Sequence, residues 1–111
     1  MTSLVNLQCK NITEEDPVLS QVEIDNYLAS LKDWKIENKN LKKDFSFKNY
    51  YQTLAFVNAI GWIIHQQNHH PEVTISYNLC KVAFTTHSIN ALSINDFICA
   101  AKIENMINNN V

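Results

Sequence analysis

The spacing of apolar residues switches along this chain between a helical and a strand period, and each switch marks an element. Ser20-Gln-Val-Glu23 fits a capping box, in which the Ser and Glu side chains satisfy each other's free backbone N–H groups. Ile24, Tyr27, Leu28 and Leu31 follow at i, i+3, i+4 and i+7, so a first helix is predicted from about residue 21 to 32. Trp34-Lys-Ile36 and Leu41 to Phe47 then alternate in the strand manner around the turn residues Asn38-Lys39-Asn40, which predicts a hairpin. From about Asn49 to Asn68 the helical period returns, with Thr53, Phe56, Val57, Ile60, Ile63 and Ile64 in one stripe. Pro71 is expected to end this helix, because a proline pushes the preceding residue out of the helical region.

A second hairpin follows: Val73, Ile75 and Tyr77 alternate with polar residues, as do Cys80, Val82, Phe84 and Thr86. A last helix opens at Ser93-Ile-Asn-Asp96 and runs to about Asn108, with Ile94, Phe97, Ile98 and Ala101 inward. The predicted fold class is α+β, in the order α-β-β-α-β-β-α. Short hairpins imply antiparallel pairing, hence a four-stranded antiparallel sheet with three helices on one face. Residues 1–19 lack periodicity and read as an irregular lead-in to a single domain over residues 20–111. The uncovered sheet face and the edge strands need shielding, which favours self-association.

Composition narrows the function classes. The net charge is −2 and no basic cluster exceeds Lys42-Lys43, so neither nucleic acid nor a membrane surface is expected as a partner. No apolar run approaches a membrane span, and a soluble, cytoplasmic protein is expected. Cys9, Cys80 and Cys99 are far apart and form no CxxC, so they read as bland buried or half-buried thiols. Gly61 is the only glycine, which excludes a Gly-rich phosphate loop.

The chemistry concentrates in the histidines. His65, His69, His70 and His87 are all the histidines of the chain, and this side chain exchanges protons near neutral pH. On the wheel of the second helix His65 and His69 lie opposite the apolar stripe, beside Asn58 and Trp62, so they are site residues and not core. His70 follows the last turn and Pro71 fixes its backbone direction, which restrains the pair as positioned chemistry requires. His87, at the end of the last strand, returns towards the start of the 73–77 strand and so towards His69 and His70. Asp96 is foremost a helix cap, favoured by the helix dipole, and secondarily a group that orients a catalytic residue. Tyr77 reads as a packing residue. Trp62 serves either as a flat wall for a planar ligand or as a subunit contact.

The run His65-x3-His69-His70-Pro71-x5-Tyr77-x9-His87-x8-Asp96 resembles the motif of the pterin-4a-carbinolamine dehydratases, or 4a-hydroxytetrahydrobiopterin dehydratases. The similarity extends through Trp34-Lys-Ile-Glu37, Phe45-Ser-Phe47, Ala55 to Gly61, Thr86-His-Ser-Ile89, Asn95-Asp-Phe-Ile98 and Ala100-Ala-Lys102, roughly residues 20–104. The resemblance implies an enzyme that removes water from the 4a-hydroxytetrahydropterin left by aromatic amino acid hydroxylases, giving a quinonoid dihydropterin. It implies no metal and no organic cofactor, and a homodimer or homotetramer built through strands or helices. It places the catalytic histidines on His69, His70 and His87, with His65, Pro71, Trp62 and Asp96 in substrate-binding or supporting positions. His65 stands where the family commonly has an acid, and Ala91 where glycine is frequent.

The residues suit that reaction. Dehydration of a carbinolamine needs an acid for the departing hydroxyl and a base for the ring-nitrogen proton, and imidazoles can serve as both. Two rivals remain. His65 and His69 have the i, i+4 spacing that chelates zinc, with His87 or Asp96 to complete a site. Alternatively the chain is a non-enzymatic, coactivator-type binding module that stabilises another protein's dimer.

Overall fold

The computed structural model describes residues 3–109. Helix α1, Gln21–Ala29, begins as its capping box requires: Ser20 Oγ accepts from Glu23 N–H at 3.1 Å, and Glu23 Oε1 accepts from Ser20 N–H at 2.9 Å. It stops earlier than the apolar spacing suggests, because the Ser30 N–H and hydroxyl both turn back onto the Tyr27 carbonyl and tighten the last turn. Strands β1, Lys35–Glu37, and β2, Asn40–Ser46, form the first hairpin. Asn38 and Lys39 both have positive φ, 51° and 62°, the conformation that a two-residue hairpin turn with the right twist demands.

Helix α2, Tyr50–Gln67, is capped by Asn49, whose side chain accepts from Gln52 N–H. Its stop corrects the expectation placed on Pro71. Asn68 leaves the helix in the left-handed region, φ 51°, a conformation asparagine tolerates. Pro71 instead precedes strand β3, Glu72–Ile75, which pairs with β4, Leu79–Phe84. Helix α3, Ile94–Asn109, closes the chain. The sheet order is β1-β2-β4-β3, all antiparallel, as the α+β pattern predicted.

Register sorts the two sheet faces. Leu41 opposite Phe84, Phe45 opposite Cys80, and Val73 opposite Val82 point to the helices. Lys42, Asp44, Glu72, Thr74 and Lys81 face the other way and keep that side polar. Aromatic rings fill the space under the helices: Phe45 and Phe56 lie 4.6 Å apart, and Trp34 meets Phe45 edge-on at 5.9 Å. Phe84, Phe97, Ile60 and Ile103 are fully buried, each such side chain stabilising the fold by about 1.5–3 kcal/mol. One charge intrudes on the inner face, where Lys43 sits between Leu41 and Phe45 and pairs with Glu104 of α3.

Two expectations change here. Tyr77 lies beyond β3 in the turn to β4 and is 65% exposed, so it does not pack in the core. His87 is not at the end of a strand, because β4 stops at Phe84. A Thr86–Ala91 bridge then closes a short loop in which His87–Ile89 form one turn of 3-10 helix. Ahead of α1, one 3-10 turn at Leu4–Asn6 interrupts an otherwise irregular segment. No helix among the described residues is long and apolar enough to cross a membrane.

Candidate active site

Three segments meet beside the open end of the second hairpin. The exit from α2 brings His69 and His70, the loop after β4 brings His87, and the start of α3 brings Asp96. A cavity of about 260 Å³ lies among them, with His69, His70, His87, Thr85 and Thr86 in its wall. The left-handed Asn68 makes this possible, since a continued helix would carry His69 and His70 on past α3 instead of turning them towards it.

His69 is the fixed member. Its ring lies parallel to that of Phe84, 9° from coplanar with centroids 5.9 Å apart, and its Nε2–H donates to Asp96 Oδ1 at 2.6 Å. Asp96 has no solvent exposure. Its second oxygen, Oδ2, accepts from Ser93 N–H and from the Thr86 hydroxyl, both at 2.9 Å. A buried carboxylate is tolerated only when its acceptor sites are filled, and here cap and histidine fill them together. Asp96 is therefore both the N-terminal cap of α3 and the partner that sets the His69 tautomer: with Nε2 donating, Nδ1 of the neutral ring is the atom able to take a proton. His70 and His87 are the exposed members, their rings facing across 6.2 Å at 26°. Pro71 holds His70 towards extended backbone.

The structure does not bring His65 and Trp62 into this group. Their rings lie 5.7 Å apart beside a separate cleft shared with Gln8 and Lys102, and Trp62 is 62% exposed. The i, i+4 zinc spacing is not realised either, because the helix ends at Gln67 before it can place His69 one turn above His65. Among the described residues, no three His, Cys, Asp or Glu side chains converge so as to hold a metal ion.

Sequence reading missed several residues here. Thr86 and Ser93, both buried, share a 2.7 Å hydroxyl hydrogen bond beneath Asp96. Thr86 stands next to His87, and Ser93 was marked only as a cap. Cys9 and Cys99, separated by 90 positions, approach to 3.6 Å between sulfurs, and Cys9 lines the cavity. A hydrogen bond from the Cys99 thiol holds the Cys9 pKa below the usual thiol range, against its partial burial. The same contact, with burial, pushes Cys99 far up. The lead-in residues Lys10, Asn11 and Ile12 also line the cavity, with no periodicity to announce them.

Residues 17–106 match the model of a family described as pterin 4 alpha carbinolamine dehydratase. A Nitrosospira multiformis protein named "Putative pterin-4-alpha-carbinolamine dehydratase" is 52% identical over 103 residues, covering 93% of this chain and 91% of its own. A Nitrosomonas eutropha protein of the same name is 45% identical, covering 96% of this chain and 98% of its own. Among solved structures, a transcriptional coactivator/pterin dehydratase from Brucella melitensis superposes with a TM-score of 0.75 at 26% identity, over 79% of this chain and 96% of that one. The chain belongs to the pterin 4 alpha carbinolamine dehydratase family.

Proposed function

We propose that this protein removes water from 4a-hydroxytetrahydrobiopterin by histidine acid–base catalysis, in the recycling of tetrahydropterin after aromatic amino acid hydroxylation. The observation that carries the reading is the pair His70 and His87, facing across 6.2 Å in a cavity whose third imidazole, His69, is fixed by a buried carboxylate. In the reaction the C4a–O bond breaks, an acid delivers a proton to the departing hydroxyl, and a base removes a proton from ring nitrogen. Water and the quinonoid dihydropterin leave, and no electrons are exchanged with the protein. His69 and His70 share the acid and base roles, and His87 holds the hydroxyl or stabilises the charged state. Positioned groups of this kind contribute about 10²–10⁴-fold each.

The test is His70→Ala. His70 is exposed, so folding should be unaffected while 4a-carbinolamine dehydration, followed spectrophotometrically with and without chelator, falls by at least about 10²-fold. Undiminished turnover in this variant would sink the assignment.

A second reading is favoured by the outer side of α2, where Tyr51 is 80% and Trp62 62% exposed. The name of the Brucella relative includes a coactivator role, and such a face suits protein contact. We propose self-association as well, into a homodimer or homotetramer, since β1 and β3 are the outer strands of the sheet. Sedimentation of a strict monomer at micromolar concentration would count against that.

A further inference from the structure

The backbone of residues 9–12, ahead of α1, is gripped by three side chains, each a near neighbour of a proposed site residue. Gln67, two before His69, accepts from Cys9 N–H through Oε1 and donates to Gln8 Oε1 through Nε2, both at 2.8 Å. Asn95, next to Asp96, accepts from Lys10 N–H at 3.1 Å and donates to the Lys10 carbonyl at 2.7 Å. Ser88, next to His87, donates its hydroxyl to the Ile12 carbonyl at 2.7 Å. Gln67 and Asn95 are only 8% and 4% exposed, so these two amides are committed to holding the strap over residues 8–12.

Between clamped Lys10 and clamped Ile12 stands Asn11. It lines the same cavity as His69, His70 and His87. Neither its peptide groups nor its side chain makes a hydrogen bond among the described residues. Its neighbours fix its position, yet its own donor and acceptor are left for something that enters the cavity. Asn11 also lies ahead of the stretch that the family model matches, residues 17–106.

We infer that Asn11 is a substrate-binding residue, its side-chain amide pairing with the 2-amino-4-oxo edge of the pterin ring. The inference rests on the pterin reading above. That edge sets N–H donors beside a carbonyl acceptor, and an amide answers with one acceptor oxygen and an NH2 donor. Held there, the pyrimidine ring leaves the ring-fusion carbon and its hydroxyl to the imidazoles. Gln67, Ser88 and Asn95 are positioning residues that act through the strap.

The experiment compares wild type, Asn11→Ala and Asn95→Ala in two measurements. One is the Kd for 7,8-dihydrobiopterin, a reduced pterin with no 4a-hydroxyl to lose; the other is KM and kcat for dehydration. Asn11 is exposed, so its truncation spares the fold. Asn11→Ala should raise Kd and KM about five-fold while kcat stays within about two-fold, the pattern of lost ground-state and transition-state binding alike. Asn95→Ala, where it folds, should move Kd and KM the same way by freeing the strap. Asn11→Ala with Kd and KM within about two-fold of wild type overturns the inference and leaves the pterin reading standing. A wild type that neither binds nor dehydrates the pterin overturns both.

Discussion

His69 Nε2 and Asp96 Oδ1 lie 2.6 Å apart, and the other oxygen of that carboxylate holds the first turn of α3. One buried residue thus ties the orientation of an imidazole to the start of a helix. Asp96→Asn separates the two roles. If the amide oxygen keeps the bonds from Ser93 N–H and the Thr86 hydroxyl, its NH2 must face His69 and force Nε2 to become an acceptor. Turnover should fall by roughly 10²-fold through the wrong tautomer, with the fold retained by circular dichroism. A variant with near-normal turnover would show that the contact orients nothing of consequence.

His65 supplies the contrasting prediction. It lies next to Trp62 beside a cleft that His69, His70 and His87 do not line. His65→Ala should therefore leave kcat/KM within about two-fold of wild type, since exposed substitutions away from a site cost little. A loss comparable to that of His70→Ala in the same assay would place the second cleft in the reaction.

The thiols should differ in reactivity. The thiolate is the nucleophile, and a pKa held low by the Cys99 thiol gives Cys9 more of it at neutral pH than an ordinary cysteine. Burial raises Cys80, and the contact with Cys9 together with burial raises Cys99, so both should lag. Iodoacetamide at pH 7, read by peptide mass mapping, should modify Cys9 first. The Cys9 rate should climb at lower pH than a free thiol's does. A reduced pterin in the cavity should slow it. Equal rates at all three cysteines would contradict the geometry.

Glu104 tests the charge inside the sheet's inner face. It receives both the Lys43 ammonium and the Trp34 indole N–H, the latter at 2.8 Å, and the Lys43 side chain is only 15% exposed. Removing the carboxylate in Glu104→Ala leaves that ammonium over the Phe45 ring with the Lys32 carbonyl, 3.3 Å away, in place of its counter-charge, and should cost about 1–3 kcal/mol. Lys43→Met combined with Glu104→Gln, which removes both charges while the amide oxygen can still accept from the Trp34 N–H, should cost less in the same urea titration.

What could be read beforehand depended on how far apart the interacting residues stand. The stripe Thr53, Phe56 and Ile60 and the box Ser20–Glu23 are local patterns, and both are in the structure as read. The hairpin turn at Asn38-Lys39 was equally local. Proline is the louder signal for the end of α2, but Asn68 takes the left-handed conformation three residues before Pro71. His87 was given the right neighbour on the wrong element. Counting alternation past Phe84 extended a strand that the Thr86–Ala91 bridge in fact closes. Asp96 was legible as a cap; its contact with His69, 27 positions away, was not. The strap shows no pattern in the sequence, since its backbone bonds to side chains 58 to 85 positions away that obey no period.

Those separations also order events in time. The strap is synthesised before every residue that grips it, and its anchors Gln67, Ser88 and Asn95 emerge one after another as the chain lengthens. The hairpins β1-β2 and β3-β4 can pair over short turns, whereas closing a loop of 58 to 85 positions has to await the later half of the chain. A nascent chain paused before α3 would hold its histidines without the wall that faces them. The finished pocket thus depends on α3: the earliest of these segments to be made can be gripped by Asn95 only after that helix has emerged.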